Sequence, residues 1–67
     1  MAATMTQNDT NREIVALITA IEQLQDRVSE LPRNGTLRSS AEDHLWNANG
    51  RLDDARTNLE LALHFNR

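Results

Sequence analysis

The chain of 67 residues contains no cysteine, so neither a disulfide nor a thiolate metal site can stabilise it. Its two histidines, His44 and His64, stand far apart in the sequence, and we expect surface side chains, not a zinc site. A chain of this length hides only a modest share of its surface, so a lone domain is marginally stable. We therefore expect oligomerisation to supply the missing stabilisation.

Long hydrophobic runs are also lacking, since no stretch is long enough to span a bilayer. The start of the chain lacks the basic and apolar blocks of a signal peptide, which predicts a cytoplasmic protein. Positive charge is scarce, because 7 basic residues stand against 10 acidic ones and give a net charge of -3. Broad binding of DNA, RNA or an anionic membrane needs a basic field, so none is expected. A local pocket for a small anion is compatible with this charge.

The first part of the chain predicts one helix behind a short tail. Residues 1–9 are small and polar, without periodicity, and predict a flexible tail. Thr10 and Glu13 have the spacing of a capping box, which predicts that helix 1 begins at Thr10. Apolar residues then recur at spacings of three and four, the pattern of an amphipathic helix. This stripe consists of Ile14, Leu17, Ile21, Leu24, Val28 and Leu31, and Ile18 broadens it.

The connection is predicted at the single proline. Pro32 disfavours helical geometry at Leu31, so helix 1 is expected to cover residues 10–31. Asn34 and Gly35 tolerate a positive φ and suit a tight reversal. The turn is therefore predicted over residues 32–37, and so short a link makes the flanking helices antiparallel neighbours.

Helix 2 is predicted over residues 38–65, with Ser39 and Glu42 at the spacing of a second capping box. Its stripe alternates large residues with alanine at a period of seven. The large positions are Leu45, Leu52 and Leu59, and the small positions are Ala41, Ala48, Ala55 and Ala62. Alanines let the backbones approach closely while the stripe of helix 1 fills the space. Residues 10–67 thus predict an all-α, antiparallel two-helix hairpin that assembles into a helical oligomer.

Asn49 and Gly50 stand inside this second pattern, where they could end the helix. The leucine–alanine register passes through them without a phase change, so we expect the helix to continue at a cost of about 1 kcal/mol for an interior glycine. Gly50 falls on the outer face, opposite the stripe. It is either incidental or a point where a partner or ligand comes close.

No set of residues predicts catalysis. Asp53 and Asp54, with Glu42 and Asp43 nearby, resemble a carboxylate cluster, but successive helical positions point about 100° apart and do not converge on one ion. We interpret them as a solvated charged face alongside the arginines. The serine pair is interpreted as a helix cap. The sequence therefore predicts a protein that is not an enzyme and binds neither a metal nor a cofactor.

Apolar residues outside the stripes predict self-association. Trp46 follows the stripe residue Leu45 by one step, and Leu61 and Phe65 extend apolar surface sideways near the end of helix 2. Exposed apolar patches usually mark interfaces, where tryptophan is a favoured anchor. We expect Trp46, Leu61 and Phe65 to hold a homo-oligomer together.

A group of amide, glycine and guanidinium residues predicts a ligand site, because such groups read base edges and phosphates. Its members are Arg33, Arg38, Asn47, Asn49, Gly50 and Arg51. The segments RLDDA (51–55) and LELAL (59–63) resemble the second helix of a phage helical-hairpin family, the small cyclic-nucleotide sponge proteins that block CBASS and Thoeris immunity. The resemblance covers about twenty residues, and Arg51 with the following residues 52–55 carries it.

The resemblance implies a non-enzymatic protein that sequesters a small cyclic or signalling nucleotide at subunit interfaces, in the cytoplasm of a host cell. The chain departs from the family where Glu42, Asp43 and His44 replace a Ser-Arg-Glu segment, and where Gly50 replaces a threonine. The alternative is a structural or regulatory hairpin that pairs into a four-helix bundle and binds a protein or RNA partner, as the plasmid repressor of primer does. The sequence leaves both open.

Overall fold

The computed structural model describes residues 6–67, which form two helices, α1 (Gln7–Asn34) and α2 (Ser39–Asn66). They run antiparallel, since Gln7 at the start of α1 donates a hydrogen bond to the carbonyl of Asn66 at the end of α2. The predicted all-α hairpin is confirmed for this part of the chain. Of the predicted tail, residues 1–5 lie outside the described residues.

Helix α1 begins earlier than the predicted Thr10. Thr6 is the N-cap, and its Oγ1 accepts a 3.1 Å hydrogen bond from the amide of Asp9. Thr10 lies inside the helix and donates from Oγ1 to the carbonyl of Thr6 at 3.0 Å. The predicted capping box was therefore wrong, because Thr6 supplies the same acceptor one turn earlier. Residues 7–9 belong to the helix, not to a tail.

Helix α1 also continues through Pro32, where the turn was predicted to begin. Pro32 has no amide to donate to Val28, but one lost hydrogen bond in the last turn is a small cost, and the proline ring is half-buried. The amide of Gly35 still donates to the carbonyl of Leu31 at 2.8 Å. Gly35 has φ -104° and ψ 162°, so no described residue uses the positive φ that the sequence suggested.

Helix α2 begins close to where it was predicted, but without the second capping box. Arg38 is the N-cap and makes no side-chain capping bond, while Ser39 is already the first helical residue. The helix runs unbroken through Asn49 and Gly50, as predicted. Among the described residues, neither helix combines the length and hydrophobicity needed to cross a membrane.

The two helices meet along a seam in which half-buried residues recur at spacings of three and four. The seam of α1 consists of Asn11, Ile14, Ile18, Ile21, Gln25, Val28 and Pro32. The seam of α2 consists of Glu42, Leu45, Asn49, Leu52, Arg56, Leu59, Leu63 and Asn66. In residues 6–67 no side chain is fully buried.

This seam corrects both predicted stripes. Leu17, Leu24 and Leu31 were predicted to face helix 2, yet they are 44%, 44% and 47% exposed. Of the predicted small core positions of α2, only Ala55 is half-buried; Ala41, Ala48 and Ala62 are exposed. The helices turn so that Ile18 and Leu63 enter the seam. The displaced leucines and alanines form a separate face of the hairpin.

Candidate functional site

Part of the predicted ligand group lies together on α2. Asn47, Gly50 and Arg51 line a shallow depression that is open to solvent, which we call the outer depression. Its other lining residues are Asp53 and Asp54. A Cβ built on Gly50 would meet no atom within 4 Å, so no contact among residues 6–67 requires glycine there. The two carboxylates disfavour an anion in this depression, and Arg51 is the only cationic residue in its lining.

The rest of the group lies elsewhere. Arg33 is in the last turn of α1 and Arg38 is the N-cap of α2, so both are at the turn. Thirteen residues of helix place Arg38 roughly 20 Å from Arg51. Asn49 faces α1 within the seam, where its Oδ1 is buried and has no hydrogen-bond partner among the described residues. A single chain therefore does not bring the six predicted residues together.

The carboxylate at the edge of the depression has a structural partner. Arg56 bridges Asp53 and Glu60 with N···O distances of 2.6 and 2.9 Å. The pKa of Asp53 is lowered, first by the hydrogen bond from Arg56 and then by one from Gln25 at 3.4 Å. In turn, the hydrogen bond with Asp53 raises the pKa of Arg56. These groups are solvent-screened and form a charged network along α2, to which Gln25 of α1 is hydrogen-bonded; this agrees with the solvated charged face that the sequence suggested for this acidic stretch.

A second cleft lies where the two helices end together, opposite the turn. This open-end cleft is open to solvent, like the outer depression, and has a volume of about 390 Å³. It is lined by Asn8, Asn11, Arg12, Val15, Leu63 and Arg67. Val15 and Leu63 are the apolar residues of its lining, and the other lining residues contribute two guanidinium groups and two amides. No single residue predicted as a ligand contact lies in it.

The arginines decide the charge of the open-end cleft. The start of α1 contributes a partial positive charge and the end of α2 a partial negative one, each about half a unit, so the two helix dipoles offset each other. Arg12 and Arg67 each carry a full charge and make no ion pair with any residue that the structure describes. The charged side chains in the lining of the cleft are therefore both cationic.

Sequence reasoning missed this cleft because it placed residues 1–9 in a tail. Asn8 then appeared to lie outside the folded unit, and Arg12 fell between the two residues of the predicted capping box. The spacing of Thr6 and Asp9 was the available signal, since a threonine three residues before an aspartate also fits a helix start. That start extends α1 by one turn and places Asn8 opposite the end of α2.

The predicted interface residues do not form one patch. Leu61 and Phe65 are neighbours one turn apart on the outer side of α2, exposed by 48% and 81%. Trp46 lies roughly 22 Å away along the helix and is 45% exposed. Its Nε1 donates to Glu42 Oε1 at 3.4 Å, a long hydrogen bond that turns the indole along its own helix. These residues are available to a partner, but they point in different directions.

Comparisons with known proteins identify no relative of this chain. No protein-family model matches the chain, and neither the curated proteins nor the solved structures gave a match. Within residues 6–67, no group of three or more His, Cys, Asp or Glu side chains is placed to hold a metal ion. The molecule is an all-α helical hairpin with two candidate ligand surfaces.

Proposed function

We propose that the protein is a non-enzymatic binding protein that captures a small phosphorylated nucleotide without altering it. The observation that carries this proposal is that two arginines, two asparagines and two apolar residues together line the open-end cleft. In the setting that the resemblance implies, the nucleotide is a cyclic or signalling one, and its capture in the cytoplasm of a host cell counters immunity.

Each component of the open-end cleft matches a part of a nucleotide. A guanidinium group binds a phosphate through two parallel hydrogen bonds, and this contact is strong locally without net positive charge on the protein. Asparagine side chains can donate to and accept from the edge of a base. Val15 and Leu63 offer an apolar surface for the face of the base. The cleft is open to solvent, so one chain would cover only part of a bound nucleotide.

The outer depression has a supporting role in this proposal. Arg51 and Asn47 face solvent beside two aspartates, and one arginine against two carboxylates is a poor phosphate site by itself. In a homo-oligomer, an arginine from another copy could change that balance. The contribution of Arg33, Arg38, Asn47, Asn49, Gly50 and Arg51 therefore stays a prediction that substitution must test.

Calorimetric titration with cyclic dinucleotides, cyclic trinucleotides and cyclic ADP-ribose isomers tests the proposal. For the nucleotide that binds, Arg12→Ala and Arg67→Ala should each weaken binding about 10- to 100-fold, the loss of a charge-assisted hydrogen bond of about 1.5–3 kcal/mol. The matched control is Arg27→Ala, which removes an exposed arginine outside both candidate surfaces.

Two outcomes would move the site or end the proposal. If Arg51→Ala abolishes binding while Arg12→Ala and Arg67→Ala bind as the wild type does, the site is the outer depression. If no nucleotide of the panel binds more tightly than about 1 mM, the nucleotide proposal is wrong.

The exposed pair Leu61 and Phe65 favours a second candidate function, a regulatory hairpin whose outer face binds a protein or RNA partner. Phe65 is 81% exposed and its ring packs edge-on against that of His64, with centroids 5.2 Å apart. An aromatic pair on the surface can stack on a base or fill a pocket of a partner protein. Loss of partner binding in Phe65→Ala, with nucleotide binding absent, would support this alternative.

A further inference from the structure

The leucines and alanines that the seam leaves exposed follow one rule. In a seven-residue repeat whose seam residues occupy positions a and d, the residue just before each a lies at position g. Leu17, Leu24 and Leu31 all fall at g of α1, and Ala41, Ala48, Ala55 and Ala62 all fall at g of α2. We call this set the leucine–alanine face.

The opposite flank of the seam is different in character. Position e holds Glu22 and Ser29 in α1, and Asp53 and Glu60 in α2; Val15 and Trp46 are its apolar members. The a positions of α2 are themselves polar at Glu42, Asn49 and Arg56. The apolar arc of each helix is therefore centred between d and g, not on the other helix. Half of the apolar side of each helix, at the d positions, packs against the other helix. The other half, at the g positions, belongs to the leucine–alanine face.

Both rows of g residues lie on the same side of the hairpin. The two helices are antiparallel, and in an antiparallel pair the g positions of one helix lie beside the g positions of the other. Each helix is about 42 Å long, and two packed helices are about 20 Å wide. The face thus offers about 800 Å² on each copy, or about 1,600 Å² in a pair, which is the standard size of a stable interface. Leu61 and Phe65 together offer far less.

We propose that a second copy of this chain docks on the leucine–alanine face. The face is complementary to itself, since one helix carries a ridge of leucines and the other a groove of alanines, both with a period of seven. Gln25 of α1 lies level with Asp53 of α2, to which it donates a hydrogen bond, so Leu24 lies close to the height of Ala55, and Leu31 close to that of Ala48. Each leucine of a ridge can therefore pack opposite an alanine in the groove of the other copy.

This fit selects the direction of the two-fold axis. With the axis parallel to the helices, α1 of one copy lies on α2 of the other, and large residues face small ones throughout. With the axis across the helices, leucines would meet leucines and hold the alanine rows apart, leaving a gap. The parallel axis places both turns at one end of a four-helix bundle, so Arg33 and Arg38 of the two copies come to the same end.

A second copy also explains why a single chain has no core. In residues 6–67 no side chain is fully buried, and the three leucines of the ridge are nearly half exposed. Docking would enclose the d and g residues of all four helices. The open-end cleft includes Val15 at position e, on the flank away from this interface, so dimerisation and ligand binding can fail independently.

Sedimentation equilibrium of two matched variants tests the interface. The wild type is expected to sediment as a dimer, twice the 7.6 kDa of one chain. Leu24→Glu should shift the mass to that of a monomer at micromolar concentration. Leu61→Glu is the control, because it makes the same change at a leucine that is 48% exposed against 44% for Leu24, but outside the face. A dimer that survives Leu24→Glu and dissociates with Leu61→Glu would overturn the proposal, as would a monomeric wild type.

A variant that leaves the single helix intact guards against a folding artefact. Ala48→Leu places an exposed side chain of high helix propensity in the groove, so it should block the incoming ridge and weaken the dimer at least tenfold while helical content is kept. An Ala48→Leu protein that dimerises as tightly as the wild type would show that the groove is not at the interface.

Cross-linking tests the axis, since the chain contains no native cysteine. A mixture of Leu31→Cys and Ala48→Cys proteins, whose residues lie at nearly the same height, should form mixed disulfides on mild oxidation, while Ala48→Cys alone should not form a homodimer. Efficient homodimer formation by Ala48→Cys alone would place α2 against α2 and contradict the parallel axis.

Discussion

Asn66 Nδ2 donates a 2.8 Å hydrogen bond to Asn11 Oδ1 across 55 residues of chain. The pair ends the seam at the open end of the hairpin, beside the cleft that Asn11 helps to line. Gln7 adds a bond to the carbonyl of Asn66. Polar side chains thus hold the helix ends together where the apolar seam stops.

Asn66→Ala is therefore expected to loosen the open end. The variant removes one half-buried hydrogen bond, so it should lower the free energy of unfolding by about 1 kcal/mol. Amide hydrogen exchange should accelerate at the start of α1 and the end of α2. The control is Asn58→Ala, whose Nδ2 bonds only the carbonyl of Asp54 in its own helix. Equal effects of the two variants would contradict a role in joining the helices.

Gly50→Ala is expected to raise the free energy of unfolding by about 1 kcal/mol, since alanine favours an interior helical position and an added Cβ meets nothing within 4 Å. Chemical denaturation measures this change. The contrasting variant is Gly35→Ala, whose Cβ would lie 3.0 Å from the carbonyl oxygen of Leu31 and should give no such gain. If Gly50→Ala also weakens ligand binding, a ligand approaches that backbone; unchanged binding would make Gly50 incidental.

Asn49→Leu is expected to stabilise the hairpin by about 1–3 kcal/mol, because it removes a buried carbonyl oxygen that has no partner in the described chain and adds an apolar contact to the seam. Thermal unfolding at fixed protein concentration measures the gain. Polar residues at seam positions also limit alternative pairings, so the variant should populate other oligomers. A destabilised Asn49→Leu would show that the amide has a partner that the single hairpin lacks.

The Asp53–Arg56 pair predicts a specific acid dependence. The lowered pKa of Asp53 means that the folded state prefers the carboxylate. The pair therefore contributes stability above the usual aspartate pKa of about 3.9, and this contribution is lost as the pH falls through the lower folded pKa. Asp53→Asn should melt below the wild type at pH 7, and the difference should shrink below about pH 4. A difference that stays constant with pH would contradict the assignment.

The fold was largely readable from the sequence, and its boundaries were not. The apolar periodicity and the turn residues around Pro32 predicted two antiparallel helices. The unbroken spacing of the leucines correctly predicted that α2 continues through Gly50. Capping spacings misplaced the start of α1 because Thr6 and Thr10 both offer an acceptor. The end of α1 was predicted too early, at Pro32. The helix continues because half-burial of the proline ring offsets the cost of the one backbone hydrogen bond that Pro32 cannot donate.

The seam could not be chosen from either helix alone. In α1 both Ile14–Ile18–Ile21 and Ile14–Leu17–Ile21 have the correct spacing, and the sequence favoured the richer apolar set. The structure selects the set that includes Asn11 and Gln25, because the apolar arc is shared with the leucine–alanine face. The open-end cleft was equally hidden, since it joins residues from opposite ends of the chain.

Native mass spectrometry tests the central claim, nucleotide capture without chemistry, most directly. The protein is incubated with cyclic dinucleotides, cyclic trinucleotides and cyclic ADP-ribose isomers, and the complexes are then dissociated in the gas phase. We expect a dimer or larger oligomer that retains a nucleotide of unchanged mass. Arg12→Ala should lose that nucleotide while keeping the oligomer. An oligomer that retains no nucleotide at about millimolar concentration, or one that releases a cleaved product, would contradict this claim.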